Sequence, residues 1–230
     1  MNSGILYIVA TPIGNLGDIT NRAIETLEKV DLVVCEDTRT SRKLLDRYEI
    51  KTSTTSFYQI QREGGAKKPV PKLDYLTAEL TSGKNIALIT DAGTPGISDP
   101  GNQLVARAVE NSIAVIPVPG VSALTTLASV SGIDLTRFVF LGFPPHKKGR
   151  ETFFKEVVAQ KYPVSYFESP HRLIKNLELL KSLAPEKKII LGRELTKMFE
   201  EIVRGTIEEV LGYFLENKDK VKGEVVLIVY

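Results

Sequence analysis

Along the first half of the chain, short apolar runs that suit buried strands alternate with segments of helical character, and this alternation restricts the fold more than any other feature. The predicted strands cover residues 6–10, 31–35, 85–90 and 114–118. The predicted helices cover residues 22–30, 38–48, 72–81 and 102–110. Because strands that alternate with helices favour parallel pairing, the sequence predicts an α/β protein with a parallel or mostly parallel sheet.

The second half of the chain starts a new series of elements after the Pro-Val-Pro-Gly segment at residues 117–120. Its predicted strands cover residues 138–141, 164–167, 188–192 and 224–229. Its first predicted helix begins at residue 121, and the other three cover residues 151–160, 171–183 and 206–215. A chain of 230 residues has room for one large domain or two small ones, at roughly 100–200 residues per domain. We therefore expect two α/β domains, residues 1–117 and 118–230.

Composition excludes several classes of protein. The single cysteine, Cys35, lies in an apolar run, which excludes a disulfide scaffold and a cysteine-rich zinc site. No cluster of histidine, cysteine and carboxylate residues has ligand spacing, so no metal is expected. The N-terminus has no basic region with a long apolar stretch, and no segment approaches the roughly 20 apolar residues of a membrane span, so we expect a cytoplasmic protein. A net charge of +2 is too small to indicate nucleic-acid binding by itself.

Three tight loops follow predicted strands. The longest, TDAGTPGISDPG at residues 90–101, contains three glycines and several polar side chains. It matches neither the GxGxxG dinucleotide-binding motif nor the P-loop motif GxxxxGK(S/T). Similar loops occupy residues 12–18 and 119–123. Ligands bind at the carboxyl ends of strands in open α/β sheets. Three such loops therefore favour one ligand cleft over the alternative, which is three independent glycine-rich turns.

Longer motifs carry a family resemblance. The loop at residues 90–101, the PGVSA turn at residues 119–123 and the GEVVLIV run at residues 223–229 resemble the tetrapyrrole methylase superfamily. Four further motifs resemble its ribosomal RNA branch, the small-subunit ribosomal RNA cytidine 2′-O-methyltransferases. These motifs are ATPIGNLGDIT (10–20), CEDTRTSRKLL (35–45), ESPHR (168–172) and RELTKMFEE (193–201). The resemblance covers nearly the whole chain.

This resemblance implies two α/β domains with S-adenosylmethionine in the cleft between them, and it also implies a homodimer. The N-terminal domain is expected to supply the cofactor loop and much of the substrate surface, and the C-terminal domain to complete the cofactor site. The family holds this cofactor largely through backbone groups, which suits short glycine loops. The cofactor residues implied in the loops are Asp91, Gly93, Thr94, Ile97, Ser122 and Ala123. Those implied further along the second domain are Phe167, Leu195 and Gly223. The implied partner is small-subunit ribosomal RNA, either free or within the 30S subunit.

Methyl transfer to a ribose hydroxyl requires a group that takes up the hydroxyl proton. S-adenosylmethionine already carries an activated methyl group, so the enzyme must mainly align it with the acceptor oxygen. We expect Asp37 to be the base, with Glu36 as the second choice, because both follow a predicted strand directly. The alternative for Asp37 is a purely structural role, in which Asp37 or Thr38 caps the helix that begins nearby.

One helix face is predicted to bind the RNA backbone. Within residues 38–48, helical spacing places four cations on one face with no anion among them, namely Arg39, Arg42, Lys43 and Arg47. Leu44 and Leu45 fall on the opposite face, toward the core. Such a stripe suits a phosphate backbone, although a solvated basic face has the same pattern. The family resemblance favours RNA.

Two further segments could contact RNA. A Pro/Gly loop at residues 144–150 carries a second basic cluster that includes Lys148 and Arg150. Phe57 and Tyr58 precede a polar stretch at residues 61–72, which predicts a mobile loop. These two aromatic rings either stack on bases or pack beneath that loop.

Two other functions stay open. The first is a methyltransferase of the same fold that acts on a protein side chain or on a small molecule such as a tetrapyrrole. Corrin-modifying relatives often have aspartate at the position of Thr94, so the Gly93-Thr94-Pro95 tripeptide argues against a tetrapyrrole. The second is a non-catalytic RNA-binding assembly factor, against which only the intact loops argue.

Overall fold

The computed structural model describes residues 3–57, 71–97, 99 and 101–230. The chain divides into two compact units, one that ends at Ser122 and one that covers Ala123–Tyr230. The boundary predicted after residue 117 lies close to this division, and the roles predicted for the two domains remain predictions. Each unit contains a five-stranded sheet and four α-helices among the described residues, so the predicted α/β class is confirmed.

The sheet of the first unit is parallel throughout, as the alternation of elements predicts. Its strand order is β3-β2-β4-β1-β5. The strands are β1 (Ile5–Val9), β2 (Leu32–Cys35), β3 (Thr54–Ser56), β4 (Ile86–Leu88) and β5 (Ala114–Val118). Because all strands run the same way, the loops that follow them emerge at one edge of the sheet.

Helices pack on both faces of this sheet. They are α1 (Asn21–Lys29), α2 (Thr38–Arg47), α3 (Pro71–Thr81) and α4 (Asn102–Glu110). Leu27 of α1 and Leu45 of α2 belong to one apolar core, whereas Leu76 of α3 and Leu104 of α4 belong to another. Successive residues of a strand face opposite sides of a sheet, so Val33 and Val34 enter different cores. In doubly wound sheets of this kind, ligands bind at the carboxyl edge.

The second unit has a mixed sheet in the order β6-β7-β10-β8-β9. The strands are β6 (Val139–Phe140), β7 (Val164–Glu168), β8 (Lys188–Arg193), β9 (Glu201–Thr206) and β10 (Val225–Val229). Only β6 and β7 pair in parallel among these strands, and the other neighbours are antiparallel. The helices are α5 (Ala123–Ser129), α6 (Arg150–Ala159), α7 (Pro170–Leu183) and α8 (Ile207–Glu216). Phe154, Leu177 and Phe214 join α6, α7 and α8 in one apolar core with the sheet.

Some expectations concern segments outside the sheets. Tyr58 and residues 61–70 of the predicted mobile loop lie outside the described residues, whereas residues 71 and 72 begin α3. Phe57 is buried in the core of the first unit, so it packs there and does not stack on bases. Within the described ranges, no helix combines the length and the apolar character that crossing a membrane requires.

Candidate active site

Three loops of the first unit are tied together at the carboxyl edge of the sheet. Thr11 and Gly93 exchange two backbone hydrogen bonds, of 2.9 and 3.0 Å, which join the loops after β1 and β4. The Thr11 hydroxyl donates to the Thr90 carbonyl at 3.1 Å. The Thr94 hydroxyl donates to the Val121 carbonyl at 2.9 Å and thereby reaches the loop after β5. The three loops singled out in the sequence therefore form one connected structure.

Two glycines allow these loops to approach each other closely. Gly93 is buried and has φ of +84°, a conformation that L residues rarely adopt. A Cβ there would lie 3.3 Å from Cγ2 of Ile13. A Cβ at Gly120 would lie 2.9 Å from that of Ala10. Side chains at either position would push the loops apart, so the glycines keep the loops close together. We call these three connected loops the cradle.

Asp99 organises the loop after β4, a role that the sequence did not indicate. Its carboxylate accepts hydrogen bonds from the backbone N–H groups of Gly96, Ile97 (3.0 Å) and Gly101 (2.9 Å). This turn leaves the Ile97 side chain 42% exposed. Asp99 therefore shapes the loop and leaves an apolar side chain at its surface.

The acidic residues after β2 lie beside this loop. The Asp91 carboxylate accepts a hydrogen bond of 3.2 Å from the Asp37 backbone N–H, and the Asp91 backbone N–H donates to the Glu36 carboxylate. Burial raises the pKa of Glu36, and the negative charges of Asp91 and Asp99 add to that effect. Glu36 is thus a stronger base than an ordinary glutamate.

Asp37 has the opposite environment. Its Oδ1 accepts hydrogen bonds from the backbone N–H (2.8 Å) and Nε (3.2 Å) of Arg39, and its Oδ2 pairs with Nη2 of Arg39 at 2.8 Å. These hydrogen bonds with Arg39 lower the pKa of Asp37 to about 2. Asp37 is the N-cap of α2, which is the structural role considered from the sequence. Its two oxygens are occupied, so the geometry favours Glu36 over Asp37 as the base.

Two of the cations on the basic face of α2 are paired with carboxylates. Arg39 pairs with Asp37, and Arg42 lies 3.7 Å from Asp46 on the next turn. The prediction that no anion accompanies these cations is therefore wrong, because the helical spacing that gathers the cations also brings Asp46 within reach. The side chain of Lys43 is exposed. The opposite face is buried as predicted, through Leu44 and Leu45.

The second basic cluster lies in the other unit. Lys148 is exposed on the loop between β6 and α6, and Arg150 is the first residue of α6. Arg172 holds this loop, because its Nη1 donates to the Pro144 carbonyl at 2.7 Å. Its Nη2 lies 3.6 Å from the buried Glu168. Arg172 is therefore an anchor of the basic loop.

The cofactor residues expected in the second unit lie in two places. Leu195 is buried in the loop after β8 and packs over Gly192, while Gly223 precedes β10. These two segments are joined through Glu194, whose backbone N–H donates to the Glu224 carbonyl at 2.9 Å. Phe167, in β7, packs against the rings of Phe140 and Phe143 at centroid distances of 5.1 and 5.2 Å. Ser122 ends the first unit, and Ala123 begins α5.

Most of the chain matches known methyltransferases. The model of the family Tetrapyrrole (Corrin/Porphyrin) Methylases matches residues 5–211. Ribosomal RNA small subunit methyltransferase I of Synechocystis sp. is 45% identical over 228 residues, which are 98% of this chain and 78% of that protein. The protein of the same name from Mesorhizobium japonicum is 46% identical over 226 residues, which are 97% of this chain and 74% of that protein.

A solved structure supports the same fold. The X-ray structure of a cobalamin biosynthetic enzyme, cobalt precorrin-4 methyltransferase, aligns with a TM-score of 0.70 over 97% of this chain and 94% of that chain. At 16% identity this likeness concerns the fold alone. The family match and the relatives' identity go further than the fold. The chain therefore belongs to the tetrapyrrole methylase family, and it is a methyltransferase that groups with the ribosomal RNA small subunit methyltransferases I.

Proposed function

We propose that this methyltransferase transfers a methyl group from S-adenosylmethionine to the ribose 2′-hydroxyl of a cytidine in small-subunit ribosomal RNA. The observation that carries the proposal is the 45% identity, over 98% of this chain, with a ribosomal RNA small subunit methyltransferase I. The geometry supports it, because Glu36 and the start of a basic helix adjoin the connected loops of the first unit. The proposal includes the homodimer that the family resemblance implies, acting in the cytoplasm on free RNA or on the 30S subunit.

The loops fit a cofactor that is bound largely through backbone groups. Gly93 lets neighbouring loops approach each other closely, and these loops are fixed by hydrogen bonds within the protein. Bound S-adenosylmethionine would supply a methyl group activated by its sulfonium. The residues proposed to hold it are Asp91, Gly93, Thr94, Ile97, Ser122, Ala123, Phe167, Leu195 and Gly223.

Glu36 is the proposed base. Its ionised carboxylate would accept the proton of the ribose hydroxyl, and such assistance contributes about 10²–10⁴-fold to the rate. Asp37 is placed beside it as a second candidate, but its carboxylate already binds Arg39. We assign to Asp37 the tasks of starting α2 and holding Arg39 near the acceptor.

The RNA backbone is proposed to contact cations of both units. Those of α2 are Arg39, Arg42 and Lys43, and those of the loop before α6 and its first turn are Lys148 and Arg150. Each contact with a phosphate would release counterions, so binding should weaken with salt. In α2 the side chain of Lys43 is exposed, whereas Arg39 and Arg42 are paired with Asp37 and Asp46.

The test is transfer of radiolabelled methyl from S-adenosylmethionine to small ribosomal subunits that lack the modification, followed by nucleoside analysis. Label in 2′-O-methylcytidine is expected, and subunits that already carry the modification serve as the control. Label in a base, or transfer to a tetrapyrrole and not to RNA, would contradict the proposed acceptor. RNA binding without any affinity for S-adenosylmethionine would instead identify an assembly factor.

A further inference from the structure

The loop between β8 and β9, residues 194–200, has an unusual backbone for a sequence without glycine. Glu194 has φ of +50° and Thr196 has φ of +66°. Residues other than glycine adopt this left-handed conformation at a cost, so the surrounding contacts must hold it. Leu195 lies between these two residues, and its side chain is buried. The strained backbone therefore fixes the position of a proposed cofactor residue.

Contacts from Glu194 supply the restraint. Its backbone N–H donates to the Glu224 carbonyl at 2.9 Å, and its Oε1 accepts from the Glu224 backbone N–H, also at 2.9 Å. The same Oε1 binds Nζ of Lys197 at 2.8 Å. Lys197 in turn lies 3.4 Å from the Glu224 carboxylate. One glutamate thus ties the 194–200 loop to the segment before β10, which is 30 residues away in sequence.

Gly223 is what allows this arrangement. It has φ of +83°, and a Cβ at this position would overlap the Glu194 carboxylate. The absence of a side chain at 223 therefore makes room for the carboxylate between the two segments. Burial opposes ionisation of Glu194, but the bonds to Lys197 and to the Glu224 N–H prevail and lower its pKa. The carboxylate is charged and hydrogen-bonded at neutral pH.

We infer that Glu194 is a positioning residue for the cofactor, a role that rests on the proposed function. Its carboxylate clamps together the segments that carry Leu195 and Gly223, so that both hold their binding conformation before the cofactor arrives. Such preorganisation saves the cost of ordering the loop during binding. Glu194 itself need not touch the cofactor.

Two measurements on Glu194→Ala test this role. The first is the dissociation constant for S-adenosylmethionine by titration calorimetry, and the second is amide hydrogen exchange of the loop in the free protein. We expect binding about tenfold to a hundredfold weaker, because the Glu224 N–H loses its acceptor and Lys197 loses one of its two carboxylate partners. Exchange should become faster at residues 194–200 and 223–224. Affinity for unmodified small subunits should stay the same.

The matched control is Glu208→Ala, which removes a glutamate of the same unit that also binds a lysine at 2.8 Å, Lys181. This variant should keep the affinity for S-adenosylmethionine. Glu194→Gln keeps an acceptor for the Glu224 N–H but loses the charge, so it should recover part of the affinity. If Glu194→Ala does not fold, Glu194→Gln and Lys197→Met decide the question, since both remove the ion pair.

The outcomes separate this role from the proposed function. No binding of S-adenosylmethionine by the unsubstituted protein would refute the proposed function itself. Tight binding by the unsubstituted protein and equal binding by the Glu194 variants would overturn only the positioning role. Equal losses of affinity in Glu194→Ala and Glu208→Ala would also overturn it, because the effect would then be general.

Discussion

Substitution of Gly93 by alanine tests whether the loops of the cradle must pack as closely as they do. The left-handed backbone at φ of +84° costs an L residue roughly 1–2 kcal/mol. The new Cβ would also lie 3.3 Å from Cγ2 of Ile13 and 3.6 Å from the Val121 carbonyl oxygen. The backbone at Gly93 has little freedom to relax this crowding, because two backbone hydrogen bonds hold it to Thr11. With overpacking added, we expect a loss of about 2–5 kcal/mol in the free energy of unfolding.

Two other glycines provide controls for this substitution. Gly132 has φ of +75°, and a Cβ added there would meet nothing within 4 Å, so Gly132→Ala should cost only the backbone strain, about 1–2 kcal/mol. Gly212 lies inside α8 and also has open space, so Gly212→Ala should stabilise the protein by about 0.5–1 kcal/mol. The three variants thus separate strain, crowding and helix propensity.

The assay is urea unfolding followed by circular dichroism, since the chain has no tryptophan, together with calorimetry of S-adenosylmethionine binding. Stability should fall in the order Gly212→Ala, unsubstituted protein, Gly132→Ala, Gly93→Ala. Only Gly93→Ala should lose affinity for the cofactor. If Gly93→Ala and Gly132→Ala were equal in both stability and affinity, the cradle would have no special requirement for glycine.

Four further predictions concern the acidic pair and the basic helix. Glu36→Gln should slow methyl transfer by about 10²–10⁴-fold. In the unsubstituted protein the rate should fall as pH drops through the raised pKa of Glu36, and Asp37→Asn should leave this profile unchanged, because the pKa of Asp37 is about 2. Glu36→Gln should also raise the melting temperature at neutral pH. The raised pKa means that the folded chain favours protonated Glu36, which stabilises the protein at low pH. This stabilisation is lost as pH rises through the raised pKa, and glutamine avoids the loss because it does not ionise. An unchanged or lower melting temperature would contradict this prediction. Lys43→Ala should reduce the salt slope of RNA binding by about 0.7–0.9, whereas Lys29→Ala, which removes an exposed lysine of α1, should not.

The sequence predicts long elements well and short polar ones poorly. Apolar runs identify four of the five strands in the first sheet, including β5 (Ala114–Val118), which is mostly exposed. The fifth, β3 (Thr54–Ser56), is three residues of threonine and serine. In the second unit β9 (Glu201–Thr206) escapes prediction for a related reason. It is partly exposed and carries Glu201 and Arg204, so its pattern lacks the apolar content of a buried strand. Its pairing with β8 depends on the tertiary fold.

At the candidate site, too, the sequence predicts local contacts and misses those that depend on the tertiary fold. The helix cap of Asp37 is predictable because it is local, joining residues two apart in the sequence. The roles of Arg172 and Glu194 are not, since their partners Pro144 and Glu224 are 28 and 30 residues away. Asp99 is an intermediate case. Its three backbone contacts are local, and an aspartate beside glycines in a loop is a signal that could have revealed them.

The contrast between Glu36 and Asp37 explains how two adjacent carboxylates can serve one site in different ways. Glu36 directly follows a buried strand, so it is partly removed from water and faces the charges of Asp91 and Asp99, which disfavour its ionised form. Asp37 begins a helix, where a backbone N–H and the Arg39 guanidinium favour its ionised form. Environments that push two pKa values apart would divide the proposed tasks of proton acceptor and fixed anion. Only these two residues separate the end of β2 at Cys35 from the start of α2 at Thr38, so the local fold produces their different environments.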